Sequence, residues 1–266
     1  MRQYGLIGFP LSHSFSKKYF AEKFASEGIT DARYDNYPIE HIKDLQDLLD
    51  EHPGLLGLNV TVPHKINVLK YLDWIEPDAR AAGAVNCIRI NAESPVLAAF
   101  SGEVGVKGHN FRLEGFNTDI YGFEMSLRPL LRAYHDQALI LGDGGAAKAV
   151  KCVLENLGIN FKIVTRRPIV DNLLFKDLKP HHIKDNLLII NTTPLGMLPN
   201  TDEYPPIPYE AITSRHILYD MVYNPEKTLF LLKGEDHGAT TKNGYEMLIL
   251  QAEKSWEIWT SKQLHP

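Results

Sequence analysis

Apolar positions along this chain recur with two spacings, and the spacing decides the reading of each segment. Runs of period two, or runs without polar interruption, predict strands at 4–8, 32–37, 55–62, 83–90, 137–141, 160–164, 187–191 and 216–223. Apolar residues three and four apart predict helices between them: at 17–27, around Ile42, Leu45, Leu48 and Leu49, near 78–82, and from Ile120 to about residue 133. A further helix runs through Leu157, with Ala149, Val150, Val153, Leu154 and Leu157 on its apolar face. A short helix is expected at 65–69, and a long last one from Gly244 through Trp256 and Trp259, whose aromatics read as packing residues. The opening β-α-β-α-β order predicts a largely parallel sheet. Residues 91–114 are mixed and rich in glycine, and read as an irregular strand-and-loop excursion. No internal repeat, low-complexity tract or linker interrupts the order.

Composition narrows the class. At 266 residues the chain can form one large domain or two ordinary ones. A formal charge of -5 provides no broad basic face for nucleic acid. Two cysteines, Cys87 and Cys152, are too few for a disulfide framework or a Cys-rich metal site, and Cys152 reads as a buried thiol. The N-terminus enters a strand directly, without a signal-peptide pattern, and no apolar run approaches the ~18 residues of a membrane span. A soluble cytoplasmic protein is expected, monomer or homodimer, with a small molecule as partner and neither membrane nor metal involved.

Candidate chemistry starts where the strand at 55–62 breaks. In Gly57-Leu58-Asn59-Val60-Thr61-Val62-Pro63-His64-Lys65, Asn59 and Thr61 share one face of the strand and Leu58, Val60 and Val62 the other. Amide, hydroxyl and amine thus come from one strand end, as a polar substrate site requires; an ordinary surface lysine is the plainer alternative. Ser14 and Ser16 precede the helix at 17–27 and either cap it or meet an anion at its start. Asp119 reads as an N-cap or first-turn acid.

The second half carries a stronger signal. The strand at 137–141 runs into Gly142-Asp143-Gly144-Gly145-Ala146-Ala147 and then a helix, the order of a dinucleotide-binding turn, with Ala147 where a third glycine often stands. The next strand ends in Thr165-Arg166-Arg167-Pro168, where an NAD site would place an acid for the ribose. Guanidinium matches phosphate geometry, so the pair points to NADP, with an ordinary basic loop as the plainer alternative. Loops after the strands at 187–191 and 216–223 should line the same cleft, since ligands bind beyond the carboxyl ends of such strands.

Together these motifs closely resemble the shikimate dehydrogenase family. The matching pieces are 8–16, 57–65, 83–87, 115–119, 142–146, 191–197, Tyr223-Asn224-Pro225 and 244–251, in the family's order along nearly the whole chain. The resemblance implies an α/β fold: an N-terminal substrate-binding α/β domain at 1–118, a Rossmann-like NADP-binding domain at 119–239, and a C-terminal helix, 240–266, packing back on the first domain. It implies reversible NADPH-dependent reduction of 3-dehydroshikimate to shikimate, on the way to chorismate and the aromatic amino acids. An NAD-dependent quinate enzyme and a non-catalytic relative remain alternatives. Carried over by position, Lys65 and Asp119 are the catalytic pair. Ser14, Ser16 and Tyr223 stand near the substrate carboxylate, and Asn59, Thr61, Asn86 and Gln251 near the ring or its hydroxyls. The cofactor set is Gly142, Gly144, Gly145, Ala146, Thr165, Arg166, Arg167, Thr192, Met221 and Gly244. The chain departs from the family's habits at Lys17, where proline is common, at Cys87, usually threonine, and at Asp143, usually small. Its stretch between Asn86 and Asp119 is also longer.

Overall fold

A computed structural model describes residues 1–11, 15–92 and 111–261. The chain forms two compact units, Met1–Thr118 with Ala252–Pro266, and Asp119–Gln251.

The first unit is built on β1 (Arg2–Gly8), β2 (Ala32–Pro38), β3 (Leu55–Val60), β4 (Trp74–Ile75), β5 (Cys87–Ala92) and β6 (Phe111–Phe116), in the spatial order β2-β1-β3-β5-β6-β4. Strands β1, β2 and β3 are parallel, with α1 (Phe15–Ser26) and α2 (Leu45–Glu51) as crossovers. Beyond β3 the sheet is mixed, with β4 parallel to β6 and β5 antiparallel to both of its neighbours. Cys87 pairs with Asn59 in antiparallel sense, so β5 begins beside the end of β3 and the connection needs no crossover. That connection holds a 3-10 helix, Asn67–Tyr71, and α3 (Pro77–Ala82). The helix expected at 65–69 is only this 3-10 turn, because Val68 is its one buried residue and offers too little apolar face to extend it. The excursion at 91–114 ends in β6, antiparallel to β5; residues 93–110 lie outside the described set.

Period two sorts the strand residues between two cores. Ile7, Leu58 and Val60 join Leu45 and Leu48 of α2, whereas Tyr4 and Leu6 join Phe20 and Phe24 of α1. The second core includes Ile258 and Trp259 from the end of α8 (Tyr245–Thr260). Gly57 makes this possible, since a Cβ there would collide with the Trp259 ring.

In the second unit β7 (Gln137–Leu141), β8 (Asn160–Thr165), β9 (Leu173–Leu174), β10 (Leu188–Asn191), β11 (Ile217–Asp220) and β12 (Thr240–Lys242) form an all-parallel sheet in the order β12-β11-β10-β7-β8-β9. This is the doubly wound order of dinucleotide-binding folds, reversing between β7 and β10. Leu139, Ile140, Leu141, Ile189 and Ile190 are wholly buried, as both-face coverage of a parallel sheet demands. The helices are α4 (Thr118–Leu127), α5 (Gly145–Asn156), α6 (Pro180–Asp185), α7 (Leu229–Asp236) and the first half of α8. The helix α4 stops short of the expected residue 133, because Pro129 in the following 3-10 turn cannot continue it. The unit also runs to Gln251, past the expected boundary at 239, since the short polar strand β12 completes its sheet edge.

Candidate active site

Around the loop after β7 lies a cleft of about 380 Å³, lined by Gly142, Asp143, Gly144, Thr165, Arg166, Phe175, residues 192–195, Glu203 and Pro206. It opens at the reversal point of the sheet, where such folds bind dinucleotides. Gly142 has φ of 108°, and a Cβ there would stand 2.8 Å from Thr192 Oγ1, so both backbone and space require glycine. At Gly144 and Gly145 nothing lies within 4 Å of where a Cβ would stand. That open approach to the start of α5 suits a pyrophosphate, and the exposed Arg166 in the lining suits a further phosphate. The residues therefore fit an NADP-type cofactor.

Five of the ten expected cofactor residues come together in this lining: Gly142, Gly144, Thr165, Arg166 and Thr192. Gly145 and Ala146 open α5, whereas Arg167, Met221 and Gly244 lie outside the lining. Thr165 is buried and its hydroxyl donates to Arg167 O at 2.7 Å, so it shapes the arginine loop. No sequence pattern marks Phe175, Glu203 or Pro206, because they arrive from connections whose course only the fold sets. Asp143, the departure in the glycine loop, pairs with Lys151 of α5 at 2.6 Å.

A buried network holds the β10 loop. Asn191 Nδ2 donates to Asp220 Oδ1 at 2.9 Å, and Asn191 Oδ1 accepts from Thr193 N at 3.0 Å and Thr193 Oγ1 at 2.6 Å. Asp220 also accepts from Val222 N at 3.0 Å and from Thr228 Oγ1 at 2.5 Å, the residue that caps α7. Burial pushes the Asp220 carboxyl up to about 6. The sequence signal for this network is an acid that ends the apolar strand β11.

In the first unit the β3 loop is held from several sides. Thr61 N donates to Ile7 O at 2.9 Å, and Val85 N donates to Lys65 O at 2.8 Å. His64 is buried, with Nε2 2.8 Å from Ile39 O. Lys65 itself is half-buried. Asn59 sits deeper than its expected ligand role implies. It is 5% exposed; Oδ1 accepts from the Tyr34 hydroxyl at 2.9 Å, and Nδ2 donates to Asn86 O and Ser255 Oγ. The face shared by Gly57 and Asn59 is the one that the end of α8 covers. Asn86 Oδ1 accepts from Thr118 N at 2.7 Å, fixing the residue before Asp119. Ser16 lies in the first turn of α1; Ser14 is outside the described residues.

Two departures find local answers. Lys17 pairs with Asp35 at 3.0 Å, and Cys87 is a core residue whose thiol burial pushes up to about 12, leaving it unreactive. In the second unit Asp119 is the second residue of α4, Gln251 Nε2 donates to Leu248 O at 2.9 Å, and burial raises the Tyr223 phenol.

A family model described as the shikimate dehydrogenase substrate binding domain matches residues 6–88. The chain is 37% identical to shikimate dehydrogenase (NADP(+)) of Clostridium beijerinckii, covering 99% of this chain and 94% of that protein. It is 35% identical to the enzyme of that name from Methanococcus aeolicus, covering 96% of this chain and 91% of the other. The crystal structure of shikimate 5-dehydrogenase from Thermus thermophilus, in complex with NADP(H) and shikimate, aligns with a TM-score of 0.79 at 28% identity. That alignment covers 98% of this chain and 94% of the other. Sequence, sheet order and glycine-loop cleft agree, and this chain belongs to the shikimate dehydrogenase family.

Proposed function

We propose that this chain catalyses the reversible, NADPH-dependent reduction of 3-dehydroshikimate to shikimate, with Lys65 and Asp119 as its catalytic pair. The observation that carries the reading is the convergence of Gly142, Gly144, Thr165 and Arg166 on one cleft at the sheet's reversal point, in a chain of this family. NADPH held in this cleft would supply a hydride. Reduction of a ketone then needs a proton at the oxygen, and Lys65 delivers it while placing positive charge where negative charge develops. Asp119 orients the ammonium. The held backbone of the β3 loop gives Lys65 a defined origin, and the Asn86–Thr118 hydrogen bond does the same for the residue before Asp119. Ser14, Ser16 and Tyr223 bind the substrate carboxylate, and Thr61, Asn86 and Gln251 its ring hydroxyls. Asn59 supports them from beneath, through the contacts that occupy its amide. Buried thiols at Cys87 and Cys152, neither of them in a disulfide, fit a reducing cytoplasmic setting.

Absorbance at the nicotinamide band, with shikimate or quinate crossed with NADP or NAD, tests the assignment. Shikimate with NADP should give the highest kcat/KM; quinate with NAD in first place would replace the reading. Lys65→Ala should lower kcat by roughly 10²–10⁴ with far less change in KM, as the loss of a positioned proton donor does. Turnover at the wild-type rate would remove Lys65 from the mechanism.

A further inference from the structure

An acid in a phosphate-binding loop is unfavourable unless another group answers its charge. Asp143 stands between two glycines of the cleft lining, one residue before Gly144, the N-cap of α5. Gly144 has no side chain to cap the helix, and the first turn of α5 contains no acid, so this helix start suits an anion. Of the charged residues in the lining, Asp143 and Glu203 are acids and Arg166 alone is basic. Lys151 changes that balance from outside the lining. It sits on α5 itself, with Nζ 2.6 Å from Asp143 Oδ1, and draws the carboxylate towards the flank of the helix. The two side chains are 28% and 27% exposed, which shields the pair from water better than a fully exposed one.

We propose that Lys151 is a positioning residue for the cofactor: by pairing with Asp143 it neutralises the acid of the glycine loop and keeps the start of α5 receptive to the pyrophosphate. The proposal rests on the reading of this cleft as the dinucleotide site. Its consequence separates it from the role of Arg166. NADPH and NADH share the pyrophosphate, so Lys151 must serve both, whereas a 2′-phosphate contact serves NADPH alone.

Direct titration of NADPH and NADH should be made on the wild type and on Lys151→Ala, Lys151→Arg, Asp143→Ser, Arg166→Ala and the Lys151→Ala/Asp143→Ser double variant. Lys151→Ala should weaken both cofactors about tenfold, within the reach of one charge at a helix N-terminus. Lys151→Arg should stay within about twofold of wild type, because the charge is kept. The double variant should return to within about twofold of Asp143→Ser alone, since without the acid the lysine has nothing to answer. Arg166→Ala should weaken NADPH and spare NADH. A double variant as weak as Lys151→Ala would overturn the proposal and make Lys151 a direct or structural contributor. An unchanged Lys151→Ala would overturn it as well. If wild type bound neither cofactor, the reading of the cleft would fall, and the proposal with it.

Discussion

Asp220 shows how a single residue can organise a site that it does not line. Its carboxylate is wholly buried and joins three segments: Asn191 at the end of β10, Val222 after β11, and Thr228 at the start of α7. Through Asn191 it sets Thr193, part of the cleft wall. Burial raises its pKa from 3.8 to about 6 despite these donors. Between those values the folded state binds the proton more tightly than the unfolded chain, so stability falls as pH rises through the window. Above about 6 the full cost persists, on the order of 3 kcal/mol at 1.36 kcal/mol per pKa unit. Asp220→Asn mimics the protonated form, its Nδ2 donating to Thr228 Oγ1. Denaturant titrations from pH 4 to 8 should show the variant gaining on the wild type up to about pH 6 and then holding level. A constant difference across that range would mean that Asp220 titrates at an ordinary value.

The last helix is the element with the most to reveal. Its first half belongs to the second unit and its second half to the first. In that second half Trp259 stacks on Tyr4 at 5.0 Å, covers Gly57, and donates from Nε1 to Ile88 O at 2.9 Å. Ser255 on the same stretch accepts from Asn59, so the helix both closes an aromatic core and steadies the floor below the β3 loop. Trp259→Ala should destabilise by about 3–5 kcal/mol, the range for a large buried aromatic. Trp259→Phe should cost less: it keeps most of the buried ring but loses the hydrogen bond to Ile88 O, worth about 0.5–1.5 kcal/mol. Urea unfolding of both variants decides the matter. If Trp259→Ala unfolded with the wild type, the C-terminal stretch would not belong to the core.

At the scale of the whole molecule, the second unit has its own six-stranded sheet and its own core of Leu139, Val164, Ile189, Leu218 and Phe230. A fragment spanning Asp119–Gln251 should therefore fold, bind NADPH within about tenfold of the full chain, and show no turnover, because Lys65 is absent. Circular dichroism with cofactor titration checks this; a fragment that stays unfolded would show that the first unit is required for the second. The same division explains what could be read in advance. Local patterns determined the strands β1 to β3, β7, β8 and β10, the glycine turn and the basic pair after β8. Each depends on residues near in sequence: alternation, a break at Pro63, a left-handed Gly142. Two- and three-residue strands such as β9 and β12 present no period, so the end of the second unit could not be placed at Gln251. The antiparallel entry of β5 and the satisfaction of Asn59 by Tyr34 and Ser255 join residues 25 to 196 positions apart. So do the arrival of Phe175 and Glu203 at the cleft and the burial of Asp220, in their own ways. The sequence by itself determined which chemistry this protein can hold, because types and spacings are local; the tertiary structure alone decided which side chains meet a ligand and which hold the others in place, because burial and hydrogen-bond satisfaction belong to the packed chain.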